Sequence, residues 1–496
     1  MQDWRDIKKY TPVSIETAVK AFANYTGFKF ITEPYHHQNV MVYIMNSISN
    51  FIFFLDMGVG KTKGIIDGIR LLKTRKKILK NVLIVVPNVL SIATWGKEIA
   101  THGNDLNFYG LFGTTPQRKE LLKNMSNDFN ICVINYAGLC YLCCSKHSFT
   151  NKLKIDTNYI SELQKKFDMV VFDEIHFCKS KTTLTYKVCK MFSENIKFVY
   201  GMTGTPFGRN LLDLWSQFFL VDKGEALTAS FSLFRRMYFI ERKNIGFPGN
   251  TFEFNQNKYP QLIENMSKRS ISYRTNELLD LPEKRYLSIT CSLPSILRSF
   301  YQKAIEQKNS ELQQQLDIKN TFMKARQISS GFLIVDKKPQ DLITKNHRIE
   351  ALSSILDSVT TQQVIIFCEF RHSALLISNL LKKLNYSFSI FRSGDKTNAE
   401  EMQKFLQGDT QILLSNSRVG GTSLNLQVAT IMIYFESPVS PIIRYQSEAR
   451  IYRAGQQYPV TFIDIVVENT IETKVLFYVK EGKDLLDLIL KGKEVL

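Results

Sequence analysis

Between positions 51 and 72 the chain passes from a short apolar strand through a glycine loop into a helix, and no other stretch limits its fold as strongly. Phe51-Ile52-Phe53-Phe54-Leu55 is apolar at every position, the pattern of a strand buried on both faces. Asp56-Met57-Gly58-Val59-Gly60-Lys61-Thr62 follows, and Ile65, Ile66, Ile69 and Leu72 then recur at helical spacing. Strand, glycine loop, Lys-Thr and helix form the layout of a phosphate cradle. Gly58 and Gly60 let backbone N–H groups approach phosphate oxygens, and the helix N-terminus adds partial positive charge. Lys61 would reach the β- and γ-phosphates, and Thr62 would hold Mg2+. The strict form of the loop has glycine where Leu55 stands, so the segment alone also fits an incidental Gly-Lys-Thr.

A second apolar strand, Met169-Val170-Val171-Phe172, ends in Asp173-Glu174-Ile175-His176. Ligand sites in open α/β sheets lie at the carboxyl ends of strands. Asp173 would hold Mg2+, directly or through water, and Glu174 would position and activate an attacking water. The other reading of this pair is a helix start with two solvated acids; a phosphate loop upstream favours the first.

Elsewhere, short apolar strands alternate with helical stretches, which predicts an α/β protein with parallel sheets. One set of strands is Phe51–Leu55, Val82–Val86, Ile131–Ile134, Met169–Phe172 and Phe198–Met202. A second is Val364–Phe367, Phe388–Phe391, Gln411–Leu414, Ile431–Phe435 and Val460–Val466. The stretch between the sets is rich in Lys, Gln, Asn, Ser and Phe and has the character of helix and loop. A single core rarely grows beyond about 250–300 residues, and this chain has 496. Two α/β lobes with a mainly helical insert are therefore expected: residues 1–222, including an N-terminal extension, then the insert 223–344, then 345–496.

The chain carries 64 Lys+Arg against 46 Asp+Glu, a formal charge of +18. That balance favours a polyanionic partner, nucleic acid first and an anionic membrane surface second. No apolar run is long enough to cross a bilayer. Met1-Gln2-Asp3-Trp4-Arg5-Asp6 lacks the basic-then-apolar pattern of a signal peptide. A soluble intracellular protein is expected, in a bacterial cytoplasm or a nucleus. Eight cysteines in a chain of this length make no disulfide scaffold. Cys140, Cys143, Cys144 and His147 have spacing compatible with part of a metal site, but no second ligand pair stands out, and reduced thiols are the expected state.

Gly-Lys-Thr followed by Asp-Glu-x-His resembles the superfamily 2 helicases, whose motor is a pair of RecA-like lobes. Further segments resemble its Snf2-like branch. Pro34-Tyr35-His36-His37-Gln38 resembles the segment before the phosphate loop, which implies that Gln38 recognises adenine. Leu83-Ile84-Val85-Val86-Pro87-Asn88 with Trp95 resembles motif Ia. Thr203-Gly204-Thr205-Pro206 resembles motif III, which implies that Thr203 and Thr205 couple the ATP site to the nucleic-acid track. Tyr273-Arg274-Thr275 with Leu281-Pro282-Glu283-Lys284 resembles the Snf2 segment before the second lobe. Val364–Phe367 resembles motif IV, and Ser417–Leu426 motif V, where the paired glycines including Gly421 permit a tight turn close to phosphate. Gln446-Ser447-Glu448-Ala449-Arg450-Ile451-Tyr452-Arg453-Ala454-Gly455-Gln456 resembles motif VI. Gln446 is a coupling residue in that likeness. Arg450 and Arg453 are three positions apart, so on a helix they would share a face, and guanidinium groups from the second lobe would stabilise charge on the transferring phosphoryl group.

The likeness spans roughly Glu33 to Glu472. Ile175, Gly208, Arg209, Ala449 and Tyr452 depart from the family pattern without removing a group that takes part in hydrolysis. It implies an ATP- and Mg2+-dependent DNA translocase or helicase acting on duplex or branched DNA, in replication, recombination or repair, with branch migration among the candidate activities. A strand-separating RNA helicase and a catalytically silent nucleic-acid-binding scaffold are the alternatives. The bare architecture and Lys/Asn/Ile-rich composition suggest an AT-rich phage or viral source.

Overall fold

A computed structural model of the chain describes residues 28–483 apart from 76–80, 127, 147–152, 205–210, 244–249, 279, 307–314, 360–361, 393–394, 396 and 418–424, together with 485 and 488. The chain divides into two compact units, Met1–Asp280 and Leu281–Leu496. The first is built on a sheet of β1 (Asn50–Leu55), β2 (Asn81–Val86), β3 (Asn107–Gly110), β4 (Asn130–Asn135), β5 (Met169–Asp173), β6 (Phe198–Thr203) and β7 (Ser270–Tyr273). Across the sheet the order is β7-β1-β6-β5-β2-β4-β3, and all of these neighbours are parallel.

Alternate residues of these strands feed two cores. Ile52, Phe54, Leu83, Val85 and Phe172 face one; Phe51, Phe53, Leu55, Ile84 and Val171 face the other. Cover on both faces is the reason the strands are apolar at consecutive positions. Helices α1 (His36–Ser47), α2 (Lys61–Arg75) and α3 (Val89–His102) pack on the second face, and α4 (Tyr136–Leu142) packs on the first. The approach of α1 to α2 depends on glycine: a side chain at Gly64 or Gly68 would run into Met41 or Met45.

The second unit has a parallel sheet of β8 (Lys284–Cys291), β9 (Val364–Phe367), β10 (Phe388–Phe391), β11 (Ile412–Ser415), β12 (Ile431–Tyr434) and β13 (Val460–Val467). Its order is β8-β13-β12-β9-β11-β10. Helices α5 (Gln315–Ser329), α6 (His347–Asp357), α7 (Pro441–Glu448) and α8 (Ile471–Lys480) belong to this unit. Residues 223–344 contain the helices Phe231–Tyr238, Tyr259–Ser267 and Ser295–Glu306 besides α5, and they also supply β7 to one sheet and β8 to the other. Neither strand has an apolar run. In β7 the serines 270 and 272 are buried, and Ser270 satisfies its hydroxyl on the Met266 carbonyl at 2.7 Å. β8 is an edge strand, exposed at most positions. Among the described residues no helix is long and apolar enough to cross a membrane.

Three buried charges join helices of the second unit. Arg326 of α5 donates to Glu472 of α8 at 2.7 Å and to the Ser437 carbonyl at 2.7 Å; Arg348 of α6 lies 3.2 Å from the same carboxylate. Burial raises the pKa of Glu472, but the two guanidinium groups outweigh it and hold the group below its ordinary value. Glu472→Ala would leave two buried cations without their shared anion, so a loss of about 3–5 kcal/mol is expected, read by urea unfolding. A loss under about 1 kcal/mol, the range of exposed pairs, would show that the carboxylate is not their counter-charge.

Candidate active site

β1 delivers the chain into the glycine loop at the carboxyl edge of the first sheet. Gly58 and Gly60 have φ of +80° and +77°, a region that side chains resist. α2 begins at Lys61, whose ammonium donates to the carbonyls of Leu55 at 3.0 Å and Asp56 at 3.2 Å. The loop is braced from α1: His37 Nε2 donates to the Val59 carbonyl at 2.7 Å, and Gln38 Nε2 donates to the Gly60 carbonyl at 3.0 Å. Burial lowers the pKa of His37, so the ring stays neutral with its proton on the nitrogen facing that carbonyl. Gln38 Oε1 accepts from the Tyr35 backbone N–H at 2.8 Å. Gln38, expected to meet adenine, is thus turned onto the loop in this structure. A Cβ at Gly60 would strike its amide.

From the other side the loop is tied to β7. The Asp56 N–H donates to the Tyr273 carbonyl at 3.1 Å, and Asp56 Oδ2 accepts from the Thr275 N–H at 3.0 Å. Neither this tie nor the His37 brace follows from local pattern, although both partners lie in segments singled out by sequence.

The acidic pair stands two strands away. Phe54 of β1 is paired with Thr203 of β6, and Met202 with Asp173 of β5, so the glycine loop, Thr203 and the carboxylates leave neighbouring strand ends. Glu174 is left-handed, φ 50° and ψ 56°, a conformation that costs a non-glycine residue about 1–3 kcal/mol and persists when its surroundings hold it. Here they do. The Thr203 hydroxyl donates to Glu174 Oε2 at 2.7 Å, and His176 Nδ1 lies 2.9 Å from that hydroxyl and 3.2 Å from the carboxylate. Burial pushes the pKa of Glu174 up, but His176, Lys61 and Thr203 more than reverse this and keep it ionised. Asp173 moves the opposite way, raised by burial and by the charge of Glu174. A divalent cation beside Asp173 would relieve that penalty, and a threonine hydroxyl with a carboxylate is the oxygen donor set that a hard ion such as Mg2+ takes. Thr62, in the first turn of α2, and Asp173 therefore fit the ion.

In the second unit, α7 carries Gln446 and stops at Glu448. Arg450 and Arg453 lie beyond it in turns, not on one helical face. The chain there is organised by Gln456, whose amide donates to the carbonyls of Ile451 at 3.1 Å and Gln427 at 3.2 Å and whose oxygen accepts from the N–H groups of Gln457 and Tyr458 at 3.0 and 3.1 Å. Gly455, at φ +95°, allows the reversal. Arg450 is buried and Arg453 half-buried. Thr205, Gly421 and His147 lie outside the described residues. Cys140 and Cys143 are buried, burial pushes the Cys140 thiol up to about 12, and among the described residues no group of three or more His, Cys, Asp or Glu could hold a metal.

The model of the SNF2-related domain matches residues 35–343. The chain belongs to the SNF2-related family. The helicase conserved C-terminal domain matches residues 347–455, so this is a superfamily 2 helicase of the Snf2-like kind, the enzyme class of nucleic-acid-dependent ATPases. It is 26% identical over 85% of its length to an uncharacterized ATP-dependent helicase of Mycoplasma genitalium, covering 38% of that protein. It is 23% identical over 84% of its length to the chromodomain-helicase-DNA-binding protein 1-like of Danio rerio, covering 40% of it. Protein p41 of Acyrthosiphon pisum secondary endosymbiont phage 1 is 23% identical over 93% of the chain and 98% of its own length. The chain spans about two fifths of the first two relatives.

Proposed function

We propose that this chain is an ATP-driven motor that moves on duplex or branched DNA, with roles in replication, recombination or repair and branch migration as one activity. The observation that carries the reading is the meeting of Lys61, Asp173 and Glu174 at neighbouring strand ends, with Glu174 kept ionised by His176 and Thr203. A silent scaffold has no use for a half-buried, strained carboxylate held in its charged form.

In this reading the ATP phosphates lie against the N–H groups of the glycine loop and Lys61 balances their charge. Mg2+, when bound, neutralises the phosphates; Thr62 and Asp173 hold it. Glu174 orients the attacking water and accepts its proton. Gln38 meets adenine from the place where it braces the loop, so base recognition reaches Gly60 through one side chain. Gly421 lets backbone approach the nucleotide. Arg450 and Arg453 supply guanidinium groups to the charge that develops on the transferring phosphoryl group. Thr203, Thr205 and Gln446 couple hydrolysis to the track. Thr203 suits the task, because its hydroxyl touches both Glu174 and His176.

The formal charge of +18 and the DNA-binding relative favour DNA as the track. Contacts to phosphate are blind to sequence and weaken with salt. ATP hydrolysis measured at fixed salt without nucleic acid and with duplex, branched or single-stranded DNA or RNA should be stimulated most by duplex or branched DNA, and the stimulation should fall steeply as salt rises. Stimulation by RNA alone would overturn the DNA assignment.

A further inference from the structure

Trp95 lies in the middle of α3, the helix that follows β2, and is 2% exposed. Its indole Nε1–H donates to Asp173 Oδ2 at 3.0 Å. An indole nitrogen can only donate, and in an apolar core it needs an acceptor; the one it has is the carboxylate at the end of β5. A second side chain holds the same residue from the opposite core: the hydroxyl of Tyr136, at the start of α4, donates to the Asp173 carbonyl at 2.9 Å. Asp173 is therefore gripped at its carboxylate and at its backbone, by helices that follow two other strands.

We propose that Trp95 is a positioning residue for hydrolysis, holding the Asp173 carboxylate in the orientation that receives the cation accompanying ATP. This rests on the reading of Asp173 as a Mg2+ ligand given above. The indole N–H bonds Oδ2 and the Glu174 backbone N–H also bonds the carboxylate; with two acceptor sites on each oxygen, the group keeps lone pairs for the ion. Without that donor, a carboxylate at a strand end can turn about its side-chain torsions, and the rotamer fit for the ion becomes one of several.

Trp95→Phe keeps a buried aromatic ring and deletes the donor. A hydrogen bond to a charged group corresponds to about a ten- to hundred-fold effect, so kcat for DNA-stimulated hydrolysis should fall by that factor with KM for ATP little changed. The readout independent of turnover is binding of a fluorescent ATP analogue. Its affinity in EDTA should match wild type, while the Mg2+ concentration that half-saturates the tighter, metal-dependent binding should rise several-fold. If Trp95→Phe does not fold, benzothienylalanine at position 95, which puts sulfur in place of the N–H in a ring of the same size, makes the same test. Wild-type kcat and Mg2+ dependence would overturn the proposal, as would an equal loss of affinity with and without Mg2+, which marks a packing role. Failure of the site reading shows separately, as wild-type turnover and wild-type Mg2+ dependence in Asp173→Asn.

Discussion

Glu174→Gln is expected to bind ATP and almost cease to hydrolyse it. Glutamine keeps the length and planar end of the side chain, and its oxygen can still accept from Thr203. It carries no charge and cannot take a proton from water. A positioned base contributes about a hundred- to ten-thousand-fold, and kcat with duplex DNA should drop by that much. Affinity should stay within a few-fold, because Lys61 and the glycine loop are untouched. The substitution should also ease the ionisation of Asp173, whose pKa the neighbouring Glu174 charge helps to raise, so Mg2+-dependent binding should persist. Titration with a fluorescent ATP analogue beside steady-state turnover separates the two properties. Turnover within tenfold of wild type would remove Glu174 from the role of base.

Arg453→Ala is expected to have an effect as large or larger. As the γ-phosphoryl group transfers, its charge spreads over three oxygens, and a guanidinium group supplied at that moment is worth about a thousand- to hundred-thousand-fold. Arg453 makes the cleaner test, because it is only half-buried, whereas Arg450 is 8% exposed and its removal also disturbs packing. Arg453→Lys should recover little, since an ammonium lacks the planar fork of donors. The measurements are kcat, KM for ATP and affinity for duplex DNA. A fall in kcat with DNA affinity preserved supports the assignment; a parallel loss of both would place Arg453 on the track instead.

Much of the site was legible along the chain, for a physical reason. Both elements of the proposed nucleotide cradle are local: an apolar strand, then glycines or carboxylates at its carboxyl end. Strands covered on both faces must be apolar at consecutive positions, so Phe51–Leu55 and Met169–Phe172 announce themselves. Strands that hide polar residues or lie at an edge do not, which is why Ser270–Tyr273 and Lys284–Cys291 emerge only in the folded chain. Arg450 and Arg453 show the limit of periodicity: their spacing suits a helix, but the helix ends at Glu448 and buried Gln456 shapes the turns beyond it.

The amino-acid sequence by itself determined the alternation of strand and helix that makes an α/β protein, and it singled out Lys61, Asp173, Glu174 and the two arginines as the residues of the proposed site. Tertiary structure alone decided what holds those groups in place. Trp95 reaches Asp173 across 78 positions, and Thr275 reaches Asp56 across 219. Such contacts depend on which strands lie side by side, and the order β7-β1-β6-β5 is settled by packing between distant segments, which leaves no periodic trace in either one.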